Sequence, residues 1–151
     1  MKKIIFSLVA VFLISALSFV SIARETVVNI NSIPSKAQNF IKENFKDKKL
    51  LSTVKDSEAL ETEYKAYFAD GTSINFNAKG EWKEVDGNIN CIPTSFIPVE
   101  IINFTAENFP NVCICKIETD KEFSNRYYDV KLLNGTEVKF DKNGRFLGFE
   151  D

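Results

Sequence analysis

The chain contains no histidine among its 151 residues. Imidazole is the usual general base in hydrolases and a frequent zinc ligand, so its absence excludes Ser-His-Asp and Cys-His catalytic arrangements and most zinc sites. Tryptophan and methionine occur once each, proline four times and glycine six times. No cluster of basic residues indicates nucleic-acid binding. Phenylalanine is abundant, with 14 residues, and is expected to supply much of the core.

Cysteine is also scarce, with Cys91, Cys113 and Cys115. An odd number leaves at least one thiol unpaired within the chain. Cys113 and Cys115 are two residues apart on a predicted strand, so their side chains point in parallel and are poorly placed to bond each other. We therefore expect any disulfide to join Cys91 to Cys113 or to Cys115. Three reduced thiols are the alternative.

The N-terminal segment, up to Ala23, differs in composition from the rest. Lys2 and Lys3 precede an apolar run over positions 4–20, and Ser21-Ile22-Ala23 has the small-x-small pattern of a cleavage site. This order is typical of a secretory signal peptide cleaved near Ala23; an uncleaved membrane anchor is the alternative. We expect a periplasmic or secreted protein with no stable membrane anchor after cleavage. Without Lys2 and Lys3 the chain carries 17 basic and 21 acidic residues, a net charge of −4.

Two stretches of the remaining chain align with each other without a gap. Tyr64 to Trp82 reads YKAYFADGTSINFNAKGEW, and Tyr128 to Phe146 reads YDVKLLNGTEVKFDKNGRF. Each alternates apolar and polar residues, which predicts strands with one apolar face. Asp70-Gly71 and Asn134-Gly135 are strong signals for type I′ hairpin turns. The sequence therefore predicts a tandem repeat, with a constant offset equal to that between Tyr64 and Tyr128.

A helix is predicted before each set of strands. Ile33 to Phe45 has apolar residues at helical spacing and Pro34 in its first turn, and Ile97 to Phe109 repeats this pattern. The predicted fold is α+β, with two tandem repeats, each a helix packed on a four-stranded antiparallel sheet. The predicted segments are a signal peptide (1–23), a leader (24–32), repeat 1 (33–86), a connector (87–96) and repeat 2 (97–151).

Two local features go with this architecture. Residues 56–60 are predicted to form a loop. Trp82 and Val85 are three residues apart, so they cannot both face the core from a regular strand. Phe146 and Phe149 have the same spacing. A β-bulge, or the end of a strand, is expected at both places.

The order of these motifs resembles the PepSY-like family of small exported bacterial proteins. After the signal peptide it contains, twice, Ile-Pro, a helix ending in Glu-Asn-Phe (43–45 and 107–109), a tyrosine-rich strand, (Asp/Asn)-Gly-Thr and Phe-(Asn/Asp)-x-x-Gly. The family is common in Bacteroidetes and is also described as β-lactamase-inhibitor-protein-like. The resemblance covers residues 33–151 and implies α+β lobes whose sheets lie side by side and leave a curved polar face. It implies no catalytic residues, and the wider group is associated with inhibiting or chaperoning secreted peptidases.

The polar face of the predicted sheet is the first candidate site. Tyrosine interleaved with mixed charge suits protein recognition, because the ring buries apolar area with little loss of entropy and the hydroxyl can hydrogen-bond. A solvated face with cross-strand charge pairs is the alternative. The candidate binding residues are Lys65, Tyr67, Tyr127, Asp129 and Lys131.

The turn Asp141-Lys142-Asn143-Gly144 is the second candidate. Asp141 and Asn143 at alternate positions before a glycine resemble the start of a calcium-binding loop. No Glu follows at the distance that such a loop requires, and a plain β-turn explains the same residues.

Carboxylate pairs are the third candidate. Glu61 with Glu63, and Glu84 with Asp86, could in principle act as acid and base in a hydrolase. Nothing in the sequence gathers them into one site.

Taken together, these features favour a non-enzymatic periplasmic binding protein. It would recognise a secreted or periplasmic protein or peptide through the polar sheet face, as an inhibitor or chaperone does. The alternative is an envelope sensor of a small ligand or of calcium. We expect no cofactor, unless calcium is bound, and no nucleic-acid partner.

Overall fold

A computed structural model describes residues 24–58, 61–122 and 125–150. The predicted signal peptide lies outside the described residues. In chain order the elements are β1 (Arg24–Val28), a 3₁₀ helix (Ile30–Ser32), α1 (Ser35–Asn44), β2 (Leu50–Glu58), β3 (Glu61–Phe68), β4 (Ser73–Asn77), β5 (Trp82–Asp86), α2 (Val99–Asn108), β6 (Ile114–Glu122), β7 (Asn125–Leu132), β8 (Glu137–Asp141) and β9 (Phe146–Glu150).

The nine strands form one antiparallel sheet in the order β1 to β9. This corrects the expectation of a separate four-stranded sheet in each repeat. The leader adds β1, which pairs with β2, and the two sets of strands join because β5 pairs with β6. Val85 and Ile117 lie opposite each other at this join and are both fully buried. The join, called here the seam, consists of the pairs Glu84–Glu118, Val85–Ile117 and Asp86–Lys116.

Each element from α1 to β5 has a counterpart in the second half of the chain, at the same offset as Tyr128 from Tyr64. The helices begin at Ser35 and Val99, and the first strands after them at Leu50 and Ile114. The same difference separates the starts of β3 and β7, β4 and β8, and β5 and β9.

Both helices pack on the same face of the sheet, called here the inner face. Ala37 of α1 and Ile101 of α2 are fully buried and belong to one hydrophobic cluster that spans both sets of strands. The alternation in the sequence predicted which strand residues face inward, and the structure confirms this. Eight of them are exposed by 3% or less: Ala66, Phe68, Ile74, Phe76, Val130, Leu132, Val138 and Phe140. Burying each large side chain contributes about 1.5–3 kcal/mol.

A β-bulge in β5 confirms the irregularity expected at Trp82 and Val85. The ladder between β4 and β5 shifts register so that Lys83 is an extra residue, and Trp82 and Val85 can therefore both face inward although they are three residues apart. The ladder between β8 and β9 shifts in the same way, with Leu147 as the extra residue.

The helices are shorter than the predicted segments Ile33–Phe45 and Ile97–Phe109. Pro34 and Pro98 have extended backbone angles, with ψ of 139° and 134°, and serve as N-caps rather than first-turn residues. Each helix therefore has 10 residues. Within the described residues, neither helix has the length and apolar character to cross a membrane.

The predicted loop at residues 56–60 was wrong in its first part. β2 continues to Glu58, with Asp56 paired to Glu63 and Ser57 to Thr62. Polar side chains are tolerated here because alternate residues of the strand project from a solvated face.

Candidate functional site

Two rows of mostly polar residues cross the outer face of the sheet. The first crosses all nine strands and the second crosses β2 to β9. Among the charged residues of the two rows, four are basic and six acidic, so their sum is 4 − 6 = −2. The first row is Val27, Val54, Lys65, Asn75, Glu84, Glu118, Asp129, Lys139 and Gly148. The second row is Ser52, Tyr67, Ser73, Asp86, Lys116, Lys131, Glu137 and Glu150.

All five predicted binding residues lie on the outer face, but in two groups. Lys65 and Tyr67 are on β3, and Tyr127, Asp129 and Lys131 are on β7. The two strands are four strand spacings apart, about 19 Å. The structure therefore brings these residues to one surface without gathering them into one patch.

Lys65 is held by two carboxylates at the β1 side of this face. Its Nζ lies 3.0 Å from Glu25 Oε1 and 3.1 Å from Asp56 Oδ2. The hydrogen bonds to Glu25 and Asp56 raise the pKa of Lys65 well above its usual value. The ammonium group is thus a fixed cation, ordered before any partner arrives.

The second group is ordered in the same way. Lys131 Nζ lies 2.6 Å from Glu137 Oε1, and Lys139 Nζ lies 3.8 Å from Asp129 Oδ1. Lys139 also sits 5.2 Å from the centre of the Tyr127 ring, a cation–π distance. Exposed pairs of this kind contribute little to stability, so they order the face more than they stabilise the fold.

The seam places a further charged group between the two predicted ones. Glu84 and Glu118 are directly opposite each other, and Lys116 Nζ lies 2.7 Å from Glu84 Oε2 and 3.7 Å from Glu118 Oε2. Burial, and then the charge of Glu84, raise the pKa of Glu118. Sequence reasoning considered Glu84 only with Asp86, as a carboxylate pair. It missed Glu118 and Lys116 because their proximity to Glu84 depends on the pairing of β5 with β6, for which the sequence has no local signal.

The predicted calcium ligands lie in the turn between β8 and β9. Asp141 Oδ1 accepts hydrogen bonds from the backbone N–H of Asn143 (2.8 Å) and of Arg145 (3.0 Å), and Oδ2 accepts one from Arg145 Nε (3.1 Å). The Arg145 N–H leads the interactions that lower the pKa of Asp141. Asn77 makes the equivalent backbone hydrogen bonds at 2.9 and 3.0 Å. Formation of the turn therefore accounts for the positions of the Asp141 and Asn77 side chains.

In the carboxylate pairs considered as acid and base, Glu63, Glu84 and Asp86 each interact with a different group rather than with each other. Glu63 Oε1 pairs with Lys83 Nζ at 2.6 Å, and Asp86 Oδ1 accepts a hydrogen bond from a backbone N–H at 2.7 Å. Glu84 is bound at the seam, and Glu61 is exposed. Over residues 24–58, 61–122 and 125–150, no three His, Cys, Asp or Glu side chains are close enough to hold a metal ion.

Cys91 and Cys113 form a disulfide, which is one of the two pairings that the sequence left open. Cys113 lies just before β6, so the bond ties the connector to the start of that strand. Cys115 is buried, its thiol lies 3.4 Å from the Lys131 carbonyl oxygen, and burial raises its pKa. It therefore remains a protonated, structural thiol.

A cleft of about 900 Å³ opens between α1 and the β6–β7 hairpin. Four aromatic residues from four different segments line it: Phe40, Trp82, Phe96 and Tyr128. Sequence reasoning assigned aromatic residues to the core and did not identify this site. The missing information was which rings stay partly exposed once the segments meet.

The last strand, β9, exposes apolar side chains at an edge of the sheet. Phe146, Leu147 and Phe149 are 41%, 51% and 60% exposed. The ring of Phe146 stacks on Phe104 of α2 with centroids 4.8 Å apart. Exposed apolar edges are uncommon in natural sheets, because their unpaired backbone groups can pair with another chain.

Comparison with known proteins gives a family and several solved structures. A family model described as "Putative beta-lactamase-inhibitor-like, PepSY-like" matches residues 62–148, more than half of the chain. No curated protein matches the chain.

Three similar solved structures come from Bacteroides species. One, from Bacteroides thetaiotaomicron, is described as a proposed calcium-regulated periplasmic protein; it is 33% identical, with a TM-score of 0.78, and the match covers 84% of this chain and 97% of that one. A second, from Bacteroides vulgatus, is described as a proposed periplasmic protein of the DUF2874 family; it is 31% identical, with a TM-score of 0.76 and the same coverage.

The third, also from Bacteroides vulgatus, is described as a proposed periplasmic protein of unknown function. It is 32% identical, with a TM-score of 0.74, and the match covers 85% of this chain and 100% of that one. With a family model over more than half of its length and these structural matches, the chain belongs to the PepSY-like family.

Proposed function

We propose that this protein is a non-enzymatic binding protein of the periplasm, exported by a signal peptide cleaved near Ala23. It recognises a secreted or periplasmic protein or peptide through the outer face, in the manner of an inhibitor or chaperone. The periplasmic descriptions of the three similar structures support the compartment. The observation that carries the proposal is the first row of the outer face, which crosses all nine strands and whose charged side chains, from Lys65 to Lys139, are ordered by ion pairs.

The dimensions of the outer face suit a protein partner. Nine strands span eight strand spacings, about 38 Å, and five residues along a strand span about 17 Å. This area approaches the roughly 800 Å² per partner of a standard protein–protein interface. Side chains already held by ion pairs lose less rotamer entropy on binding than free ones, which favours recognition by this surface.

Charge predicts the chemistry of the partner. The two rows sum to −2, with Glu84 and Glu118 together at the centre. Complementary charge steers association and is screened by salt. We expect the partner to present a basic surface and its binding to weaken as ionic strength rises.

Capture of partners from periplasmic extract tests the proposal. Tyr67, 37% exposed, and Tyr127 are replaced together by serine, and Lys42→Ala, on the exposed side of α1, is the control. A saturable partner should be captured by the wild type and the control, and its recovery should fall at least tenfold with the double variant. Equal recovery by all three proteins, or no saturable partner, would rule the outer face out.

A second candidate function is an envelope sensor of calcium or of another small ligand. Its support is the description of one similar structure as calcium-regulated. Asp141 and Asn143 are the proposed ligands. Calcium should then raise the melting temperature of the wild type by mass action, and Asp141→Ala should remove the rise. A melting temperature that stays flat up to millimolar calcium eliminates calcium as the ligand of this candidate.

We also propose that the segments α1–β5 and α2–β9 are two copies of one unit. The constant offset between the starts of corresponding elements supports this, as do the bulges in β5 and β9. The copies provide matched positions, one in each half, for comparing variants.

A further inference from the structure

The aromatic cleft forms where two strands separate. β5 pairs with β6 as far as Glu84 and Glu118, whereas β6 continues beyond that pair and itself pairs with β7 as far as Glu122. Trp82 lies on β5 beyond the last pair of the seam, so its ring faces the gap that opens there. Helix α1 lies across the other side and contributes Phe40.

The floor of the cleft is a cluster of four aromatic rings. Trp82 lies 5.4 Å from Phe96, 6.4 Å from Tyr128 and 6.3 Å from Phe40, measured between ring centroids. All four residues are only partly buried, so ring surface faces the solvent in the cleft. The volume of about 900 Å³ is within the range of small-ligand sites and is larger than one side chain needs.

The rim of the cleft has an acidic surplus. It has three basic and five acidic residues, a sum of 3 − 5 = −2. Two pairs neutralise each other: Lys36 Nζ lies 2.9 Å from Glu81 Oε1, and Lys83 Nζ lies 2.6 Å from Glu63 Oε1. The charged lining residues are Lys36, Lys83, Arg126, Glu43, Glu61, Glu63, Glu81 and Asp120.

Two of these carboxylates are available to a ligand. In the described part of the chain, neither Glu43 nor Glu61 forms a hydrogen bond or ion pair. Glu43 projects from the third turn of α1 and Glu61 begins β3, so they approach the cleft from different elements.

We propose that this cleft binds a lysine or arginine side chain presented by an extended peptide. The apolar stem lies on the aromatic floor, and the cation lies between the ring of Trp82 and the carboxylates of Glu43 and Glu61. A cation is attracted to the face of an indole ring, and ionised partners form the stronger class of hydrogen bonds. This site shares no residue with the two rows of the outer face, and its ligand need not be the partner bound there.

Trp82 is the only tryptophan of the chain, so its fluorescence reports on the cleft directly. The full-length disulfide-bonded protein is titrated with the peptide acetyl-Gly-Arg-Gly-amide and with the same peptide carrying citrulline, which is nearly isosteric but neutral. We expect a saturable change in emission with the arginine peptide and binding at least tenfold weaker with the citrulline peptide. Equal affinities would overturn the proposal.

Matched variants locate the binding. Glu43→Gln should weaken the affinity for the arginine peptide three- to tenfold. Glu107→Gln, at the equivalent position of α2 and outside the cleft, should leave this affinity unchanged. Trp82→Phe, followed by calorimetry, should also weaken binding, and circular dichroism checks that each variant is folded. Equal effects of the two glutamate variants would place the peptide elsewhere.

Spermidine separates a peptide ligand from a free amine. Affinity for spermidine tenfold or more below that for the arginine peptide supports a peptide. Equal or tighter binding of spermidine overturns the assignment to a peptide. Neither Tyr67 nor Tyr127 lines the cleft, so failure of this titration and failure of outer-face recognition are distinguishable.

Discussion

At the scale of single residues, two glycines set the contact between each helix and the turn below it. Gly80 has φ of +77°, and a Cβ there would lie 2.8 Å from Pro34 Cβ and 2.9 Å from the Ala37 backbone nitrogen. Gly144, at the equivalent position in the second half, has φ of +76°, and a Cβ would lie 2.9 Å from Glu100 Cβ. The absence of a side chain thus lets the N-terminus of each helix rest directly on a β-turn.

Replacing Gly80 by alanine should lower the unfolding free energy more than the same change at a glycine with open space around it. Gly135 is the control, because its φ of +91° imposes the same backbone strain while nothing lies within 4 Å of its Cβ position. The left-handed conformation costs alanine about 1–2 kcal/mol at both positions, and overpacking adds about 1–3 kcal/mol at Gly80 alone. Urea denaturation of both variants measures the difference in unfolding free energy. Equal losses would show that the helix shifts without cost.

Residue-level features of the candidate site were partly predictable. A period of two is enough to place Lys65, Tyr67, Tyr127, Asp129 and Lys131 on one face, because it depends only on strand geometry. The carboxylate partners of Lys65 could not be predicted in full, since Glu25 belongs to the leader, whose strand has only a weak alternation.

At the scale of elements, the seam combines a buried apolar pair with charges on the outer face. Val85 and Ile117 are fully buried, while Glu84 and Glu118 lie opposite each other next to them. Like charges on opposed residues of neighbouring strands are unfavourable, and Lys116 offsets them only in part. The raised pKa of Glu118 reflects its burial and this repulsion.

Glu118→Gln should stabilise the protein at neutral pH. The folded-state pKa of Glu118 is raised above the ordinary value of 4.5, so the wild type loses stability as pH rises through that folded pKa. The substitution removes the charge. It should raise the unfolding free energy by less than about 1 kcal/mol, because the side chain is 47% exposed and screened by solvent. Thermal unfolding from pH 3.5 to 8 tests this. The gain should vanish below about pH 4, and a gain independent of pH would contradict the assigned cause.

The disulfide links two elements across the connector. The sequence separation between Cys91 and Cys113 is 22 residues. Closing a loop of this size restricts the unfolded chain and contributes roughly 3 kcal/mol in the chain-entropy model. Urea denaturation of the double variant Cys91→Ser/Cys113→Ser should give an unfolding free energy lower by about this amount. Reduced wild type should match the variant; if reduction has no effect, the bond is not formed in solution.

Element types were predictable from the sequence, whereas the full length of β2 and the pairing of β5 with β6 were not. Asp-Gly and Asn-Gly identified the two hairpins, but the predicted type I′ turns were wrong: Gly71 and Gly135 have positive φ, whereas Asp70 and Asn134 do not, and a type I′ turn needs positive φ at both central residues. Residues 56–60 were assigned to a loop on polarity alone, although the outer face accepts polar residues along β2. The pairing of β5 with β6 was not predicted, because it joins strands separated by a connector and a helix.

At the scale of the whole molecule, the single sheet makes one surface out of two similar halves. One hydrophobic cluster runs across both sets of strands. The outer row crosses the seam without interruption, so a partner can contact residues of both halves together. The α+β class followed from the repeated motifs, whereas the continuous face and the aromatic cleft exist only because the halves join.

Site-specific photocrosslinking in cells tests outer-face recognition most directly. A benzophenone amino acid replaces Tyr67 or Tyr127 on the outer face, or Lys42 on the exposed side of α1. The account predicts that irradiation links the same partner at positions 67 and 127 and not at position 42. Crosslinks confined to position 42, or equal at all three positions, would contradict it.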